Sequence, residues 1–160
     1  MKKIFITAIL FSGLTLGSFY LTSCKKEKKE ETKEKPTPPT NEELVMANQW
    51  KVTRIMSQQI DVWNNPVFPL FEDCQKDNIY EFQANDIMLI DEGLTKCDSA
   101  DAQTQEGAWM MVGKDKMFID FSLLKDTADI ISVSKTKLVL KATIESFGVD
   151  GEITFDKVVK

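Results

Sequence analysis

The chain predicts an all-β domain of eight short antiparallel strands behind a targeting leader, and two observations carry this. From residue 50 onward, short apolar–polar alternations recur between turn residues, the pattern of a sandwich or a barrel. No glycine pattern of a dinucleotide- or phosphate-binding unit occurs, and no internal repeat is visible.

The leader comes first. Lys2 and Lys3 precede an apolar core from Ile4 to Leu16, and Leu21-Thr22-Ser23-Cys24 closes the segment. Basic, apolar, then small residues is the order of a secretory signal peptide, here residues 1–23. The apolar stretch is too short, and too soon followed by charge, for a membrane span. Leu21 to Cys24 resembles the lipobox of bacterial lipoproteins. That resemblance implies cleavage before Cys24 and acylation of Cys24 with two or three chains. It implies an outer-membrane lipoprotein facing the periplasm or the cell surface. Two or more acyl chains hold a protein stably, so the membrane is the first implied partner.

Residues 24–40 read as a disordered tether. Positions 25–40 hold six Lys, four Glu and three Pro, too little apolar area to offset chain entropy. Extended, this stretch reaches about 50 Å. Lys29-Glu30-Glu31 resembles the short acidic signals that send some lipoproteins to the cell exterior. Taking Lys2, Lys3 and the tether's surplus of two positives from the chain's −5 leaves −9 for residues 41–160. A domain that acidic repels nucleic acid and anionic lipid. Its length, about 120 residues, supports a single core.

Thr40-Asn41-Glu42-Glu43 is a capping box that starts a short helix through about Ala47. Trp50, Val52 and Ile55 mark the first strand. Residues 57–77 are long for a hairpin connection and carry Trp63, Phe68, Phe71, Pro66 and Pro69. Such a segment is either a plug folded into one barrel end or a lid over a ligand. Tyr80 to Ala84 and Ile87 to Leu89 form a hairpin about Asn85-Asp86, two residues that tolerate the left-handed turn conformation. Ala108 to Val112 and Met117 to Phe121 flank Gly113-Lys114-Asp115-Lys116. Ile130 to Ser134 and Leu138 to Ile144 flank Lys135-Thr136. Gly151 precedes a last strand with Ile153 and Phe155. Inward positions are Trp50, Val52, Tyr80, Phe82, Ile87, Leu89, Trp109, Phe121, Leu138, Leu140 and Phe155.

With Cys24 lipidated, Cys74 and Cys97 remain as a pair in an oxidising compartment. A two-residue turn at Asn85-Asp86 sets Phe82 opposite Leu89 and Tyr80 opposite Asp91. The same count sets Cys74 opposite Cys97 at the open end. A redox or metal pair is the rival reading, but there is no C-x-x-C and no His to complete a site.

Trp50, then Cys74, Asn78 and Phe82, then Asp91-Glu92-Gly93 with Lys96-Cys97-Asp98, then Gly107 and Trp109, then Thr136, Leu138 and Leu140 resemble the lipocalin-like domain of bacterial lipoproteins. The match covers about residues 44 to 156. It implies an eight-stranded antiparallel barrel with Trp50 near its closed end. One departure is Asn48, where the family usually has Gly two positions before that Trp.

The absence of His removes Ser–His and Cys–His nucleophilic pairs and His-based metal sites, so no enzyme and no cofactor are expected. Glu72, Asp73, Asp77, Asp91, Glu92, Asp98 and Asp101 match no EF-hand spacing and read as a solvated acidic rim rather than a calcium site. Two functions stay open. One is a binding module for a small apolar or amphipathic molecule, with Trp50, Trp63, Phe68, Phe82, Trp109 and Phe121 as candidate ligand contacts. The other is a packed barrel that serves as a surface interaction or structural module.

Overall fold

In the computed structural model, which describes residues 37–67, 69–121, 124–144 and 148–159, Thr40 caps the first helix as its spacing from Glu43 predicts. The Glu43 amide donates to Thr40 Oγ1 at 3.2 Å, and the Thr40 amide donates to Glu43 Oε2 at 2.7 Å. The signal peptide, Cys24, most of the tether and Phe68 lie outside the described residues. Thr37–Lys160 forms one unit. Among the described residues, no helix is long and apolar enough to cross a membrane.

The elements are α1 (Asn41–Met46), β1 (Gln49–Ser57), β2 (Ile60–Asp61), α2 (Asp73–Lys76), β3 (Ile79–Phe82), β4 (Ile87–Asp91), β5 (Thr104–Met111), β6 (Lys116–Phe121), β7 (Leu124–Val133), β8 (Lys137–Ile144) and β9 (Val149–Lys157). All pairings are antiparallel. β1 and β3 to β9 follow one another around a barrel that closes by β9 pairing back on β1. This is the expected eight-stranded up-and-down barrel. The two-residue β2 is an addition, paired to the end of β1 at Ser57–Ile60 and Met56–Asp61. Gln58 and Gln59 make that turn with φ of 48° and 69°.

A bulge between Val52 and Arg54 resets the phase of β1, so Val52 and Ile55 both face inward. Trp50 is fully buried, and its indole N–H donates to the Val45 carbonyl at 2.7 Å. That carbonyl belongs to the last turn of α1, where backbone acceptors lack helical partners. Trp50 thereby fixes α1 across one end of the barrel. The opposite end carries the 58–78 segment and the β4–β5 loop.

The β3–β4 hairpin differs from its expected register. Phe82 pairs with Met88 and Tyr80 with Ile90, one residue short of the predicted alignment. Asn85 and Asp86 do adopt left-handed φ of 64° and 62°. Ala84 joins them in the loop, because Gln83 donates to the Ile87 carbonyl at 2.8 Å. A one-residue slip exchanges the faces of a strand. Met88 and Ile90 therefore enter the core in place of Ile87 and Leu89. The other nine predicted inward residues are buried.

Trp63 and Phe71 turn back into the core, 3% and 4% exposed, with ring centroids 4.7 Å apart. The plug expectation for this segment holds at these two residues. Asp61 Oδ1 accepts from the backbone amides of Trp63 and Asn64, both at 3.1 Å. This local turn aims the indole back beside β1, where β3 has stopped at Lys51–Ile79.

Candidate functional site

The rim opposite α1 is stepped. The β5–β6 ladder runs to Ala108–Asp120, and β6 ends one residue later at Phe121. β5 starts higher, at Thr104, where it pairs with Asp91 of β4. Between this step and the Cys74–Cys97 disulfide lies a cavity of about 490 Å3.

Asn78, Ile90, Glu92, Gln105, Gly107 and Phe121 line it. Strand alternation puts them there. Asn78 precedes the inward Tyr80 and Phe82, and Glu92 follows the inward Met88 and Ile90. Gln105 and Gly107 precede Trp109, and Phe121 follows Met117 and Ile119. A side chain at Gly107 would not fit: its Cβ would lie 2.7 Å from the Asp120 carbonyl oxygen and 2.9 Å from Met88 Cε. Glu106, Asp120 and Lys125 also contribute to the lining, with Lys125 Nζ 3.4 Å from Asp120 Oδ1.

Glu92 is 7% exposed. Its Oε1 accepts from Gln105 Nε2 at 2.8 Å, whereas its Oε2 is buried without a hydrogen-bond partner. Asn78 Oδ1 is buried and unpartnered in the same way. Burial drives the Tyr80 phenol far above its ordinary range, and a hydrogen bond with the Asn78 side chain only partly opposes this. Tyr80 therefore stays neutral beneath the cavity, its ring 5.1 Å from that of Phe121. A buried acceptor without a donor costs about 1–3 kcal/mol, and more when charged. Both oxygens lie closed off behind the cavity wall, while the cavity itself sets polar Asn78, Glu92 and Gln105 beside apolar Ile90 and Phe121.

The framework around the cavity is tied at several points. The predicted disulfide is present, with Cα atoms 5.2 Å apart. It joins α2 to the β4–β5 loop rather than extending the hairpin ladder. Asp77 Oδ2 accepts from the amides of Leu94 and Thr95, both at 2.9 Å, and from Thr95 Oγ1 at 2.6 Å. Gly93 has φ of 68°, and a side chain there would overlap the Asp77 carbonyl oxygen. Asp91 Oδ1 accepts from the Gly93 amide at 2.9 Å and from Gln103 Nε2 at 2.8 Å.

The solvated-rim expectation thus needs correction at Glu92, which is buried, and at Asp77 and Asp91, which act as turn acceptors. Among the described residues, Glu72, Cys74 and Cys97 alone cluster at metal-ligand spacing. Both sulfurs are committed to the disulfide, which leaves no metal donor set there.

The six candidate ligand contacts are not gathered in one place. Phe82 and Trp109 pack edge to face with centroids 5.2 Å apart. The Trp109 indole donates to the Gln83 carbonyl at 2.9 Å, clasping the hairpin turn. Trp50 seals α1, Trp63 packs on Phe71, and Phe68 lies outside the described residues. Phe121 lines the cavity. Sequence reasoning missed Asn78, Glu92 and Gln105 as lining residues. The inward parity of Ile90 extended by two positions was the signal for Glu92.

No protein-family model matches this chain, and no curated protein matches it. Among solved structures, bovine odorant binding protein in complex with its natural ligand is similar, at 16% identity over 79% of each chain with a TM-score of 0.42.

Proposed function

We propose that this chain is a membrane-anchored, non-enzymatic binding lipoprotein of the bacterial outer membrane, and that it holds a small amphipathic molecule in the cavity of the stepped rim. The cavity carries the reading. It sets the polar residues Asn78, Glu92 and Gln105 beside apolar walls at Ile90 and Phe121. Such a mixture suits a guest with a polar head and a greasy body. The absence of His argues against nucleophilic catalysis. The anchor rests on Leu21 to Cys24 and on the charged tether after it.

Native mass spectrometry of the protein extracted from membranes should show a small molecule that leaves on denaturation. A bare acylated chain that no amphiphile stabilises in a thermal melt would overturn the binding reading. Cys24→Ala should abolish acyl labelling and leave the leader uncleaved; labelling at the level of the unaltered protein would overturn the anchor.

A second reading, a packed barrel acting through its surface, draws on the filled interior. Trp50, Tyr80, Phe82 and Phe155 are all buried to within 1%. Ile60, Val67 and Leu70 stand 54%, 72% and 44% exposed on one segment. In that case, crosslinking from position 67 in membranes returns a protein partner, and native spectra carry no small molecule.

A further inference from the structure

We propose that the outer wall of β5 to β7, at the α1 end of the barrel, is the face that rests on the lipid bilayer. This deepens the anchored reading above and rests on it. The chain enters the domain at this end. Pro38, Pro39 and Thr40 share one surface cavity with Met111, Gly113 and Lys114, and Asn41 Nδ2 donates to the Lys114 carbonyl at 2.9 Å. Residues 25–36 alone lie between Cys24 and this entry. A link that short holds the face at high effective concentration over the membrane, so a weak contact suffices.

The wall is apolar where a solvated strand face would be polar. Trp109, Met117 and Ile119 are buried, so Met110, Val112 and Phe118 point outward. Met110 pairs with Phe118 across β5 and β6, and Met110 and Val112 are 45% and 42% exposed. β7 adds Ile131. Its ladder to β8 shifts between Ile130 and Ser132, and this bulge leaves Ile131 54% exposed. The Ile130 amide donates to the Asp115 carbonyl at 2.7 Å, which puts Ile131 beside the β5–β6 turn.

Charge tells this end from the other. Lys116 and Lys137 are held by Asp129 at 2.9 Å and Asp156 at 2.7 Å. Lys114 and Lys135 are exposed, and none of the ion pairs among the described residues involves them. They offset Asp115 and Glu42 of the entry cavity, so this end is close to neutral. Their ammonium groups can reach phosphate while the apolar side chains enter the headgroup layer. Ile60, Val67 and Leu70 are exposed at the opposite end, but there Asp61, Glu72, Asp73, Asp98 and Asp101 stand against Lys76 and Lys96. An anionic bilayer repels that end.

The test uses full-length acylated protein on phosphatidylethanolamine–phosphatidylglycerol vesicles, with flotation as the check on the anchor. Val112→Cys, Ile131→Cys and, at the opposite end, Leu94→Cys each carry an NBD fluorophore; Leu94 is 99% exposed. Nitroxide-labelled lipid should quench the probes at 112 and 131 several-fold more than the probe at 94, and aqueous iodide should do the reverse. Lys114→Glu combined with Lys135→Glu should return the probe at 131 to iodide; unchanged quenching there overturns the part assigned to the two lysines. Equal quenching at all three positions, in protein that floats, overturns the docked face and leaves the anchor standing. Protein that does not float overturns both. Probes at 112 and 131 that are shielded from iodide yet untouched by nitroxide lipid overturn the bilayer in favour of a protein contact.

Discussion

Asp77 shows how one side chain can hold two loops. Burial disfavours its charge, but the hydrogen bonds from Thr95 and Leu94 outweigh that and hold its carboxyl below the usual range. A depressed folded-state value stabilises the protein above the unfolded carboxylate range, near pH 4, and the gain is lost as pH falls through the folded value. Asp77→Ala should cost about 1–3 kcal/mol at neutral pH by chemical denaturation. The gap from the unaltered protein should close below about pH 4; an equal gap at pH 3 and pH 7 would show that charge is irrelevant here. Glu92 and Asn78 mark the limit of sequence reading at this scale. Their residue types are as common on surfaces as in sites, and only the continuation of strand parity past Ile90 and before Tyr80 separates them from the solvated acids nearby.

Among the elements, the 58–78 segment offers the sharpest measurement. Trp63 is 3% exposed against Phe71, so Trp63→Ala should lower stability by about 3–5 kcal/mol, as truncating buried aromatics does. A melt within a degree of the unaltered protein would return the segment to the role of a movable lid. The hairpin is equally instructive. Asn85-Asp86 was legible as a left-handed turn, but whether the loop held two residues or three was not, because Ile87, Met88, Leu89 and Ile90 are all apolar. A strand with no polar face leaves register to the turn geometry and to the partners on each side. Trp109 is one of those partners, with its backbone amide donating to the Asp86 carbonyl at 3.0 Å. The β2 addition carried no readable signal, since Gln58-Gln59 is not a pair that turn chemistry singles out.

For the whole molecule, alternation led to eight strands of a sandwich or a barrel and the family resemblance implied the barrel, whereas the disulfide was predicted through a register that the hairpin does not have. Cys74 and Cys97 meet because α2 and the β4–β5 loop pack at one end, not because a ladder extends to them. The bridge closes a separation of 23 residues, for which chain entropy gives about 3 kcal/mol. Cys74→Ser should lower unfolding free energy by about 2–5 kcal/mol, measured by denaturant titration without reductant. An unchanged midpoint would mean that the Asp77 bonds alone hold the two loops.

The pairing of β1 with β9 sets the order of events when the protein is made. Trp50 meets Lys157 and Ile55 meets Ile153, so the ring cannot shut before the ninth strand has been synthesised. Contacts that distant in sequence form slowly, because loop closure must precede any reward. Until then both outer strands are unpaired edges and the core stays open to solvent. Under the export proposed above, the chain has to remain threadable during just that interval, and a ring that shuts only when β9 pairs with β1 provides the delay.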